Sequence, residues 1–127
     1  MSIEQMIQRA ISVREKAYCP YSQYKVGACI KSGEDLYDGC NVENASYSLT
    51  ICAERAALAK MISEGGVSWD TIVVATFDGA PPCGACLQAL SEFCKDRHHA
   101  KVVLAKNKED FKTYGFSELF PLAFGEK

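Results

Sequence analysis

Apolar positions along the chain change period several times, and each change marks an element. Ile3, Met6, Ile7, Ala10, Val13, Arg14 and Ala17 recur at helical intervals. Ser2 and Gln5 have capping-box spacing at the start, and Pro20 marks the end. Next, Tyr24, Val26, Ala28 and Ile30 alternate with Lys25, Gly27, Cys29 and Lys31, which predicts a half-buried strand. Ser32-Gly33 turns it into a second strand over Leu36 to Asn41, making a hairpin. A polar loop from Asn41 to Leu49 leads to Thr50, which is placed to cap a helix rich in Ala53, Ala56, Ala57, Leu58, Ala59 and Met61. Gly65-Gly66 closes that helix.

Thr71 to Phe77 is a continuous apolar, β-branched run, the pattern of a strand buried on both faces. Asp78-Gly79-Ala80-Pro81-Pro82 breaks it. Cys83, Cys86, Leu87, Leu90, Phe93 and Cys94 then share one helical face, followed by a strand at Lys101 to Ala105 and a polar turn at Asn107 to Asp110. Phe111 to Tyr114 makes a last short strand, and Ser117 to Phe120 a helical turn stopped by Pro121. The alternation of strand and helix from Leu36 to Ala105 implies right-handed parallel crossovers. The fold expected is a three-layer α/β/α sandwich whose mixed five-stranded sheet joins an antiparallel hairpin to parallel strands.

Composition narrows the class. The 127 residues are 48% apolar, enough for one core, so residues 1–127 are expected to form one domain. A formal net charge of -2 offers no basic excess for a polyanion, which argues against nucleic acid. The longest apolar run, Ile72-Val73-Val74-Ala75, is too short to cross a bilayer, and the start lacks the charged and apolar stretches of a signal peptide. A cytoplasmic protein is expected. Of seven cysteines, Cys19, Cys29, Cys40 and Cys94 read as small packing residues of a reducing compartment.

The other three carry the chemistry. Cys52-Ala53-Glu54-Arg55 and, about thirty residues later, Pro82-Cys83-Gly84-Ala85-Cys86 read together as a three-thiolate metal site with a carboxylate beside it. Three thiolates leave one tetrahedral position of zinc open, which separates a catalytic site from a closed structural one. Cys52, Cys83 and Cys86 are expected near helix starts, where the dipole and free N–H groups favour thiolates. Arg55 is placed to hydrogen-bond the sulfurs and draw charge from them. Glu54 is free to handle protons. A C-x-x-C pair alone also suits redox or structural zinc chemistry. Joined to Cys-Ala-Glu-Arg at this separation, it is the pattern described for zinc deaminases.

The chain resembles the small cytidine deaminases. The resemblance runs through Tyr18-Cys19-Pro20-Tyr21-Ser22, Val26-Gly27-Ala28 and Gly39-Cys40-Asn41-Val42-Glu43-Asn44-Ala45-Ser46-Tyr47. It continues through the two cysteine motifs to Leu119-Phe120-Pro121 and Phe124-Gly125. It implies hydrolytic deamination of cytidine and deoxycytidine by a homotetramer with one zinc per subunit and shared active sites, in pyrimidine salvage. By matching position, it implies Cys52, Cys83 and Cys86 as ligands and Glu54 as proton shuttle. Asn41 and Glu43 match the ribose-binding pair. Ala45 and Tyr47 match positions reaching a neighbouring subunit's substrate, and Phe124 matches a C-terminal aromatic that covers it. Tyr24 stands where the family usually has phenylalanine against the pyrimidine, keeping an aromatic face. Leu87 stands where arginine commonly follows the second cysteine, removing a charge near the subunit contacts.

Three rivals follow from the same residues. One is an aminohydrolase acting on a cytosine-bearing antibiotic nucleoside, against which Asn41 and Glu43 argue. Another is a structural-zinc protein whose site Cys94 or Cys40 closes. A polynucleotide editor is disfavoured by the acidic balance and short loops. His98 and His99 sit among Lys95, Arg97 and Lys101 and read as a solvated basic patch.

Overall fold

In the computed structural model, which describes residues 2–125, five strands form one sheet in the order β2-β1-β3-β4-β5. The chain runs through α1 (Ile3–Arg14), β1 (Gly27–Ser32) and β2 (Asp35–Cys40). A 3₁₀ turn (Tyr47–Leu49), α2 (Ala53–Ser63) and β3 (Thr71–Ala75) follow. It closes with α3 (Gly84–Glu92), β4 (Lys101–Ala105), β5 (Phe111–Gly115) and α4 (Phe116–Leu119). β3 and β4 are parallel, β1 is antiparallel to both β2 and β3, and β5 is an antiparallel edge. This is the mixed sheet expected.

Period-two alternation assigns each strand residue to a layer. Cys29, Val73, Ala75, Val103 and Ala105 are buried with Met6, Ile7 and Ala10 of α1. Ala28, Ile30, Ile72, Val74, Val102 and Leu104 are buried on the other side with Ala57, Leu58 and Met61 of α2 and Leu90 of α3. Helices on both faces, with the sheet between them, make the three layers. Trp69 anchors this second core, donating its indole N–H to the Leu90 carbonyl at 2.7 Å and meeting Phe116 edge-on at 5.2 Å.

Two local expectations are corrected. β1 is not half-buried: Gly27 through Ile30 are all buried, because the strand lies between β2 and β3 under α1. The alternate positions that looked polar are in fact small, Gly27 and Cys29, and α1 sits directly on them. A Cβ at Gly27 would lie 2.0 Å from the Ala10 carbonyl oxygen. Tyr24 and Val26 precede the strand and are held instead by Asn41, as described below. Likewise Thr50 does not cap α2. The cap position is Cys52, in extended conformation, while the Thr50 hydroxyl accepts from the Asn44 N–H at 3.3 Å. The N-terminal capping box, the hairpin turn with Gly33 at φ 61 and the Asn107 turn all form as expected.

Candidate active site

The helices after β2 and β3 both start at the same end of the sheet, so the first turns of α2 and α3 meet beside the carboxyl ends of the parallel strands. Open α/β sheets place ligand crevices there. Cys52 occupies the cap position of α2 and Cys83 that of α3, with Cys86 in the first turn of α3. The three sulfurs lie within 4.8 Å of one another. Thiolates on one tetrahedral zinc, each at ~2.3 Å, stand roughly 3.8 Å apart, so the donor set fits a single ion. Neither Cys40 nor Cys94 belongs to this group. Among the described residues, the closed four-thiolate rival therefore lacks its fourth ligand.

Electrostatics match a thiolate site. Hydrogen bonding from Cys86 and then Arg55 holds the Cys52 thiol well below its usual range, while the same contact with Cys52, together with burial, pushes Cys86 up. Thiols bind metal as thiolates, so a cation held here would displace their protons. Arg55 donates Nη2 to Cys52 Sγ and to the Thr50 carbonyl, both at 3.5 Å, which is the sulfur contact expected of it. Glu54 is buried at the second helical position of α2. Burial, reinforced by the charge on Cys52, pushes its carboxyl up to about 7. A carboxyl poised there can hold a proton and release it near neutral pH.

A cavity of about 390 Å³ opens over these groups, within the range of small-molecule sites. Cys52, Glu54 and Cys83 line it together with Tyr24, Asn41, Glu43 and Tyr47. Asn41 is buried and half committed: its Oδ1 accepts from the Val26 N–H at 2.9 Å and its Nδ2 donates to the Tyr24 carbonyl at 2.8 Å. One donor hydrogen and one lone pair remain for a ligand. Glu43 accepts from the N–H groups of Tyr21 and Ser22 at 3.0 and 3.1 Å, and from the Ser22 hydroxyl. Those bonds, led by the Ser22 hydroxyl, hold its carboxyl below the usual range.

Ala45 and Phe124 do not reach the cavity of their own chain. Ala45 is exposed on the loop before the 3₁₀ turn. Phe124 is 88% exposed beyond α4, where its carbonyl accepts from Gln88 Nε2 at 3.1 Å. Tyr47 lines the rim but is 74% exposed. Leu87 is buried in the α2–α3 core rather than facing the cavity. His98 and His99 lie beyond α3 on the surface, with His99 Nδ1 2.7 Å from Asp96 Oδ2.

Sequence reasoning missed Ser22, Thr50, Thr76 and Pro81, which also line the cavity. Ser22 and Thr76 are short polar side chains followed by loop residues, a signal any surface loop carries.

Residues 1–105 match the family described as the cytidine and deoxycytidylate deaminase zinc-binding region. A cytidine deaminase of Halalkalibacterium halodurans is 44% identical over 98% of this chain and 95% of its own. One of Sporosarcina psychrophila is 38% identical over 100% and 94%. Among solved structures, the cytidine deaminase from Burkholderia pseudomallei superposes with a TM-score of 0.90 at 39% identity, covering 98% of this chain and 100% of that one. The Mycobacterium tuberculosis cytidine deaminase gives 0.83 at 30% identity, covering 99% of each.

Proposed function

The chain belongs to the cytidine and deoxycytidylate deaminase family, and from that premise we propose that its cavity hydrolyses the C4 amine of cytidine and 2'-deoxycytidine, giving the uridines and ammonia. The observation that carries this reading is the clustering of the Cys52, Cys83 and Cys86 sulfurs at a cavity that Cys52, Cys83 and Glu54 line. Cys52, Cys83 and Cys86 would hold the zinc, which when bound would supply the Lewis acidity that makes water nucleophilic at neutral pH.

The chain's own groups do the rest. Tyr24 presents its ring as a wall for the pyrimidine. Asn41 and Glu43, with their remaining hydrogen-bonding capacity, bind ribose hydroxyls, and a ligand lacking those hydroxyls leaves them unpaired. Glu54 donates a proton to N3 as water adds to C4, takes the proton released by that water, passes it to the amine, which leaves as ammonia, and recovers the proton of the C4 hydroxyl as that oxygen becomes the carbonyl. Arg55 draws charge off the Cys52 sulfur, preserving the acidity that three thiolates would otherwise quench.

The chain works as one deaminase domain within a homotetramer, where Ala45, Tyr47 and Phe124 complete a neighbouring subunit's site. Tyr18, Tyr21, Val42, Tyr47, Leu49 and Ile51, exposed on the two segments that carry the lining residues Ser22, Asn41, Glu43 and Thr50, supply apolar surface for such a contact. We place the reaction in pyrimidine salvage in the cytoplasm. Seven free cysteines suit a reducing compartment, and no helix among the described residues is long and apolar enough to cross a membrane.

The test is ultraviolet absorbance loss on cytidine with purified protein, matched by ammonia release and by zinc content, with Glu54→Ala as control. Matching loss and release in the wild type are expected, with turnover in the control lowered at least ~10²-fold at full zinc content. A zinc-loaded wild type that leaves cytidine untouched refutes the reading.

A further inference from the structure

Tyr24 is held at four points. Its N–H donates to the Ser22 hydroxyl at 3.0 Å, its carbonyl accepts from Asn41 Nδ2 at 2.8 Å, and its ring meets Phe77 edge-on at 5.4 Å. A phenylalanine could keep all three. The fourth it could not keep: the phenol donates to Asp78 Oδ1 at 2.6 Å. Asp78 does not line the cavity whereas Tyr24 does, so the bond ties a lining residue to one outside it.

That bond joins the two lips of the cavity. One lip, the segment before β1, contributes Ser22, Tyr24 and Val26 to the lining. The other, between β3 and α3, contributes Thr76, Ala80, Pro81 and Cys83. The second lip is wound tightly on itself. Thr76 Oγ1 accepts from the N–H groups of Gly79 and Ala80 at 2.8 and 3.2 Å, and Asp78 Oδ1 also accepts from Ala80 at 3.2 Å. Arg14 Nη1 anchors its root through the Thr76 and Lys106 carbonyls at 3.1 and 3.3 Å. The Asp78 carboxylate is therefore a stationary acceptor, and an aromatic wall tied to it is preorganised rather than ordered on binding.

We propose that Tyr24 and Asp78 form a latch across the cavity mouth, in which Asp78 is a positioning residue that fixes the Tyr24 ring for the pyrimidine. The effect on binding rests on the deaminase reading; the latch itself does not. A wall present in both ground and transition states contributes uniform binding, so its loosening raises KM and leaves kcat nearly unchanged.

Two measurements test it on the zinc-loaded protein. Hydrogen–deuterium exchange of the Gly79 and Ala80 amides reads the latch without substrate. In Tyr24→Phe these amides are expected to exchange about 3- to 10-fold faster, the fold-change of one partly exposed hydrogen bond. KM for cytidine is expected to rise by a similar factor of about 3 to 10 in Tyr24→Phe and in Asp78→Ala, with no further rise in the double variant. Asp78→Asn, which keeps an acceptor oxygen, is expected to restore most of the affinity. A role in folding alone would lower the melting temperature without this split between KM and kcat. Wild-type exchange in Tyr24→Phe overturns the latch, and single effects on KM that multiply in the double variant overturn the coupling. A wild type without turnover would refute the deaminase reading while exchange still decides the latch.

Discussion

Gly39→Ala is the most searching perturbation of the way this fold aims its chemistry. Gly39 sits in β2 opposite Ala28 of β1, on the face covered by α2. A Cβ added there would lie 2.4 Å from the Ala57 nitrogen, 2.7 Å from the Ala53 carbonyl oxygen and 2.9 Å from the Ala56 carbonyl carbon. All three are backbone atoms of α2, so no rotamer relieves the contact. Restoring ordinary van der Waals separation requires the helix to rise by roughly 1 Å, and overpacking of this kind costs about 1–3 kcal/mol. The sign is informative, because Gly39 has no positive φ and alanine in an unstrained strand normally stabilises. For a chain of this size the loss corresponds to a melting-point drop of roughly 3 to 10 °C. The catalytic consequence is separable. Cys52, Glu54 and Arg55 ride on α2 while Cys83 and Cys86 ride on α3, so lifting one helix misaligns the two halves of the site. Misplacement of about 1 Å can cost up to ~10²-fold, and a loss of at least about tenfold in kcat is expected in the molecules that remain folded and zinc-loaded. Thermal melts, zinc content and cytidine kinetics on one preparation measure all three. Gly33→Ala is the control, since Gly33 has φ 61 and open space around it: strain without helix displacement. Wild-type melting and kcat in Gly39→Ala would refute the account of how α2 is seated.

Cys86→Ala is expected to lose zinc and activity together, read by metal analysis; full zinc content with two thiolates would show that the ligand set is wrong. Chelation of zinc from the wild type is expected to lower the melting temperature, because an ion that binds only the folded state stabilises it by mass action; an unchanged melt would place the metal elsewhere. Glu43 carries a pH prediction. Its folded carboxyl is held below the ordinary 4.5 by Ser22 and Tyr21, so the stability it contributes is present above 4.5 and is lost as pH falls through the depressed value. Glu43→Gln should thus melt below wild type near neutral pH, with the gap closing in acid; a gap that widens on acidification would reverse the assignment.

Most of the architecture was legible because local rules and tertiary packing agree. The capping box at Ser2 and Gln5 and the Ser32-Gly33 turn form where pattern alone put them, while the two-sided apolar run of β3 stops at Ala75 and leaves Phe77, expected at its end, exposed. The disagreements come from size rather than polarity. In β1, Gly27 and Cys29 stood at the polar alternate of a half-buried strand, although Cys29 already read as a packing residue, and α1 covers both. Thr50, the better capper by type, lost its place to Cys52 because a 3₁₀ turn uses up the residues before it.

The sequence alone carried the candidate donor motifs: the spacing of Cys52, Cys83 and Cys86 reads as a metal site with Glu54 beside it as the proposed proton carrier, since chemistry of this kind depends on residue type and on helix starts that short motifs announce. Tertiary structure decided what touches what. The closeness of three sulfurs, the burial that lifts Glu54, and the tie from Tyr24 to Asp78 join residues up to 54 positions apart. No local pattern encodes such contacts, because they exist only once strand order and helix seating have fixed which loops share an edge of the sheet.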